Sequence, residues 1–170
     1  MKSKFLILTF FAATVSLNAQ EIETTGSRLD VEDATQALEF HNKVRKDVGT
    51  LPLTWSAELS KYAQDWADQL VSRNCAFEHR SSGNFGENIY MASGSLATAK
   101  EASKAWYSEI KSFKNVPLNS NNWYETGHYT QMVWKNTKKV GMGISKCTNG
   151  NYIIVANYDP LGNFMGETAY

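Results

Sequence analysis

The sequence predicts an α+β domain with helices packed on an antiparallel sheet, and three observations predict it. Apolar residues recur at helical spacing in three long segments before residue 115. The spacing then falls to two: Val140, Met142 and Ile144 alternate with Gly141, Gly143 and Ser145, "TNGN" supplies a turn, and "YIIVANY" returns. The chain has 170 residues and neither internal repeats nor low-complexity tracts, enough for one domain with a substantial core.

The first segment stands apart. Residues 1–19 carry Lys2 and Lys4 ahead of an apolar run from Phe5 to Leu17, too short to span a bilayer. This reads as a secretory signal peptide cut near Ala19–Gln20, so the mature chain is expected outside the cytoplasm, secreted or periplasmic, with no transmembrane segment after cleavage. Residues 20–32 are polar without periodicity and read as a leader; the domain proper is expected over residues 33–170. Lys plus Arg and Asp plus Glu number 17 each, which argues against a nucleic-acid partner.

From Asp33, the stripe Ala34, Leu38, His41, Arg45 and Val48 predicts a helix closed by Gly49 and Pro52. Ser56 can cap a second, with Leu59, Tyr62, Ala63, Trp66 and Leu70 on one face. A third runs through "ATAKEASKAWYSEIKSF", with Trp106, Glu109, Ile110 and Phe113 in register. An Asn-rich loop then leads to "GHYTQMVW", a short fourth helix starting beside His128. The hairpin follows, and "DPLGN" is turn chemistry.

Glu109 lies on an apolar stripe, so it needs a partner, a cavity, or a reach to water. Glu87, in "FGENIY", reads alone as a surface loop residue. Among the histidines, His41 reads as a hydrogen-bonded core residue and His79 sits in a loop. His128, at a helix start, is expected neutral and free to coordinate or accept a proton. These side chains form no local metal signature. In an exported chain, the even pair Cys75 and Cys147 suggests a disulfide, with two buried free thiols as the alternative.

Four short motifs sharpen the reading. "GHYTQMVWKNT", "IIVANYDPLGN", "HNKVR" and "GENI" resemble the signatures of the CAP superfamily of cysteine-rich secretory, antigen 5 and pathogenesis-related proteins. The resemblance covers the whole mature domain and implies an α–β–α sandwich with a large central cleft. It implies a tetrad of His79, Glu87, Glu109 and His128 in that cleft, with His79 and His128 as metal ligands and the glutamates as cleft carboxylates. It implies a scaffold role for His41, Asn42 and Arg45, and for Asn157 and Tyr158. Cys75 and Cys147 match the two halves of one family bridge, while Met142 and Ala156 stand where a second bridge would be.

The function implied is a secreted, non-enzymatic binding module: zinc or another divalent cation weakly at the tetrad, and a sterol or fatty acid as an apolar ligand, with Phe113, Trp123 and Tyr124 as its expected rim. The alternative is a hydrolase using a histidine base with Ser81, Ser82 or a metal-bound water as nucleophile; no nucleophile-elbow motif supports it.

Overall fold

The computed structural model describes residues 20–81, 83–93 and 97–170. The signal-peptide segment and Ser82 lie outside the described residues. The elements in chain order are α1 (Val31–Asp47), β1 (Thr54–Trp55), α2 (Ala57–Ser72), β2 (Gly86–Ala92), α3 (Ala99–Tyr107), α4 (Trp123–Val133), β3 (Lys139–Lys146) and β4 (Tyr152–Asp159). One four-stranded sheet has the order β1-β3-β4-β2. Its three long strands are antiparallel as expected, but the two-residue β1 pairs parallel with β3, so the sheet is mixed.

Helices cover both faces of the sheet. Even-numbered residues such as Val140, Met142, Ile154, Ala156 and Tyr158 share a core with α1, α3 and α4. Odd-numbered Ile89, Ile153 and Val155 share another with Ala63, Trp66, Ala67 and Leu70 of α2. This is the α–β–α sandwich. The glycines of β3 make it close-fitting: a Cβ on Gly141 would collide with the backbone of Ser60, and one on Gly143 with that of Gln64. The face that alternation alone assigns to solvent is therefore buried beneath α2.

Several boundaries differ from the sequence expectation, each for a local reason. Asp30, not Asp33, starts α1, because its carboxylate accepts from the Asp33 amide at 2.7 Å. The polar leader also packs, with Ile22, Thr25 and Leu29 buried. The α2 start is as expected, with Ser56 Oγ accepting from the Leu59 amide. Helix α3 opens on a reciprocal Thr98–Glu101 capping box and ends at Tyr107. The chain continues as a 3-10 turn, Ser108–Lys111, so Glu109 does not lie on an unbroken α-helical stripe. Helix α4 begins at Trp123, earlier than expected: Asn122 Oδ1 accepts from the Asn119 amide, and Trp123 N donates to Asn119 O at 3.0 Å. His128 is thus inside the helix rather than at its positive end, and the expectation built on the helix dipole falls away.

The Cys75–Cys147 disulfide is formed, with Cα atoms 5.9 Å apart. It joins the end of α2 to the end of β3. Met142 and Ala156, at the positions where the resemblance implies a second bridge, are directly paired across β3 and β4 and are both fully buried. Two apolar side chains occupy that space instead.

Candidate functional site

The scaffold motif comes first, because it holds the site's elements in place. His41 is fully buried: Nδ1 donates to Ala37 O at 2.8 Å, and Nε2 accepts from the Tyr158 hydroxyl at 2.9 Å. Burial pushes its imidazole down to about 4. Asn42 exchanges two hydrogen bonds with the backbone of Leu53, pinning the chain before β1. Arg45 is buried with no carboxylate partner among the described residues; it donates instead to Leu51 O, Met132 O, Trp134 O and Thr137 O at 2.6–3.0 Å. Its guanidinium thereby closes the C-terminal end of α4, whose last carbonyls have no intrahelical donor. Asn157 Nδ2 likewise holds the Gly86 carbonyl at the start of β2.

The four tetrad residues form two separate pairs of the same design. His79 Nδ1 lies 2.8 Å from Glu87 Oε1, which also accepts from the Arg80 amide at 3.1 Å. His128 Nδ1 lies 2.6 Å from Glu109 Oε1. Glu109 Oε2 accepts from the His128 and Tyr129 amides at 2.9 and 3.0 Å. The His128 ring also stacks on Trp106, whose indole donates to the Ile89 carbonyl of β2. Glu87 is on a strand, not in a surface loop, and its side chain is only 9% exposed against 56% for His79. The sequence shows Glu109 as an oddity on a stripe; the structure explains it as the partner of one imidazole and two amides.

In both pairs Nε2 has no hydrogen-bond partner among the described residues. Glu87 lies on β2, the edge strand of the sheet, and the side chain of its neighbour Asn88 donates to the His128 carbonyl at 3.1 Å. A cavity of about 390 Å³ is lined by Trp66, Gln69, Arg73, Glu78, His79 and their neighbours, and by none of Glu87, Glu109 or His128. Among the described residues, no group of three or more His, Cys, Asp or Glu side chains is placed to hold one ion.

The scaffold, the paired histidines and the sandwich can be set beside known proteins. Residues 38–158 match the model of CAP, the cysteine-rich secretory protein family. The chain belongs to the CAP family. It is 41% identical to pathogenesis-related protein 1A of Nicotiana tabacum over 133 residues, 78% of each chain. Pathogenesis-related protein 1C of the same plant is 38% identical over all of this chain and 95% of its own. Among solved CAP structures, NaASP2 with Zn2+ superposes with a TM-score of 0.73 at 30% identity, covering 84% of this chain and 86% of that one. BmVAL-1 gives 0.75 at 29% identity, covering 87% and 86%. No described helix of this CAP domain is long and apolar enough to cross a membrane.

The expected lipid rim is altered. Phe113 is packed rather than exposed, its ring 4.9 Å from Tyr129 and 5.6 Å from Tyr170. Trp123 and Tyr124 are exposed, at 41% and 85%, and so are three apolar residues that the sequence did not suggest, Val116, Phe164 and Met165. Reciprocal backbone bonds join Leu118 to the Gly166–Glu167 segment, two distant stretches of chain that carry some of these residues.

Proposed function

We propose that this chain is a secreted, non-enzymatic binding protein whose two histidine–glutamate pairs hold a divalent metal weakly, zinc being the ion to test first. The observation that supports it is the repeated geometry: a glutamate takes Nδ1 of each ring and leaves Nε2 without a partner among the described residues. Metal-ligating histidines are oriented by a carboxylate in this way. Two neutral imidazole nitrogens suit zinc. His79 and His128 are the residues to hold it; Glu87 and Glu109 fix the rings. A bound ion would supply a Lewis-acidic point for an oxygen ligand. With two protein nitrogens and water for the rest, affinity should be modest. That a relative, NaASP2, has been solved with Zn2+ points the same way.

The test is zinc calorimetry on wild type, His79→Ala and His128→Ala. Each single change should abolish most of the binding. No heat of binding to the wild type at millimolar zinc would overturn the proposal.

An apolar ligand is the second part of the proposal, resting on the exposed apolar side chains Val116, Trp123, Tyr124, Phe164 and Met165. A sterol or fatty acid is the class it suits. In the hydrolase alternative the nucleophile is Ser81, Ser82 or a metal-bound water; among the described residues Ser81 makes no hydrogen bond to either histidine, and Ser82 is outside the described residues.

A further inference from the structure

His41 and Tyr158 look like pure scaffold, yet a buried hydrogen-bond chain leads from them to the site. The Ala37 carbonyl accepts from His41 Nδ1, which makes His41 Nε2 the acceptor for the Tyr158 hydroxyl. The Tyr158 oxygen accepts from Asn88 Nδ2 at 3.3 Å. The same Asn88 nitrogen donates its other hydrogen to the His128 carbonyl at 3.1 Å. Asn88 is 2% exposed, and His41 and Tyr158 are fully buried, so no water competes for these bonds.

We infer that Asn88 is a positioning residue for the His128 half of the site. An amide has two N–H bonds in one plane, and here both are used: one is fixed by the Tyr158–His41 pair, which aims the other at the backbone of His128. Asn88 also follows Glu87 directly in β2, so the strand that carries the carboxylate of one pair carries the anchor of the other. The register of β2 on β4, with Asn88 opposite Ala156, sets both at once. The placement of the His128 Nε2 atom, which has no hydrogen-bond partner among the described residues, is therefore governed by a residue that hydrogen-bonds to neither ring. The inference builds on the metal reading for its importance, but the placement of His128 is testable without metal.

The experiment follows the imidazole resonances of His79 and His128 by heteronuclear NMR in metal-free protein, alongside melting temperature and zinc affinity. The variants are Asn88→Ala and Tyr158→Phe; Ile89→Val, on the opposite face of β2, is the control for general destabilisation. The expected result is a shift of the His128 ring signals in Asn88→Ala with those of His79 unmoved, and zinc binding weakened roughly tenfold, the scale of losing an outer-shell partner. Tyr158→Phe should move the same signals in the same direction by less, which keeps the test decisive if Asn88→Ala does not fold. Ile89→Val should lower the melting temperature and leave both rings unchanged. Unchanged His128 signals in Asn88→Ala, or equal shifts in both histidines, would overturn the inference. A wild type that binds no zinc would sink the metal reading alone, because the NMR comparison still decides the role of Asn88.

Discussion

Glu109 holds His128 twice: Oε1 is 2.6 Å from the ring Nδ1, and Oε2 accepts from the backbone amide of the same residue at 2.9 Å. The carboxylate thus fixes ring and backbone together, from a 3-10 turn that ends α3. Replacing Glu109 by Ala would leave the His128 and Tyr129 amides without this acceptor. The expected cost is about 1–3 kcal/mol of stability, read by urea denaturation. Glu109→Gln can still accept from the amides but can no longer take Nδ1–H with a charged oxygen, so it should spare stability and weaken zinc roughly tenfold by calorimetry.

The Cys75–Cys147 bridge closes a loop over a sequence separation of 72 residues. A Cys147→Ser variant should lose about 2–5 kcal/mol of stability. Non-reducing peptide mapping of exported protein should recover one cross-linked peptide pair, and two free thiols there would contradict the bridge.

Acid should weaken the fold through His41. Its folded-state value is depressed to about 4, while an unfolded histidine titrates near about 6.5. Between those values the unfolded chain binds the proton and the folded chain does not, so stability falls as pH falls through that window and the loss is complete below the folded value. The size is about 3 kcal/mol for this one group. Comparing the urea midpoint at several pH values in wild type and His41→Gln isolates it: the variant should lose this part of the slope.

Gly143 faces α2 at backbone contact. Gly143→Ala must push the helix off the strand and should cost about 1–3 kcal/mol, measured by thermal unfolding. A neutral result would mean that α2 is less closely seated than the structure places it.

The exposed apolar residues make a separate prediction. Tyr124→Ala and Trp123→Ala should each reduce saturable uptake of a labelled sterol or fatty acid, and leave zinc affinity as in the wild type. No saturable uptake by wild type would remove the lipid part of the proposed function.

The sequence by itself determined a good deal here. Helical and two-residue periodicity located α1, α2, the start of α3, and the β3–β4 hairpin, because those periods report which face of an element is buried. The Ser56 cap was legible for the same local reason, and the motifs around His41, Glu87, His128 and Asn157 were enough to identify the family. Only the tertiary structure decided which glutamate serves which histidine, why Gly141 and Gly143 alternate with apolar residues, and how Asn88 ties Tyr158 to His128. A pattern along the chain says that a side chain is buried but not what it meets. His41 meets Tyr158 across 117 positions, and His128 meets Glu109 across 19. Such contacts depend on how the layers are stacked, and stacking is set by all the elements together rather than by any one segment.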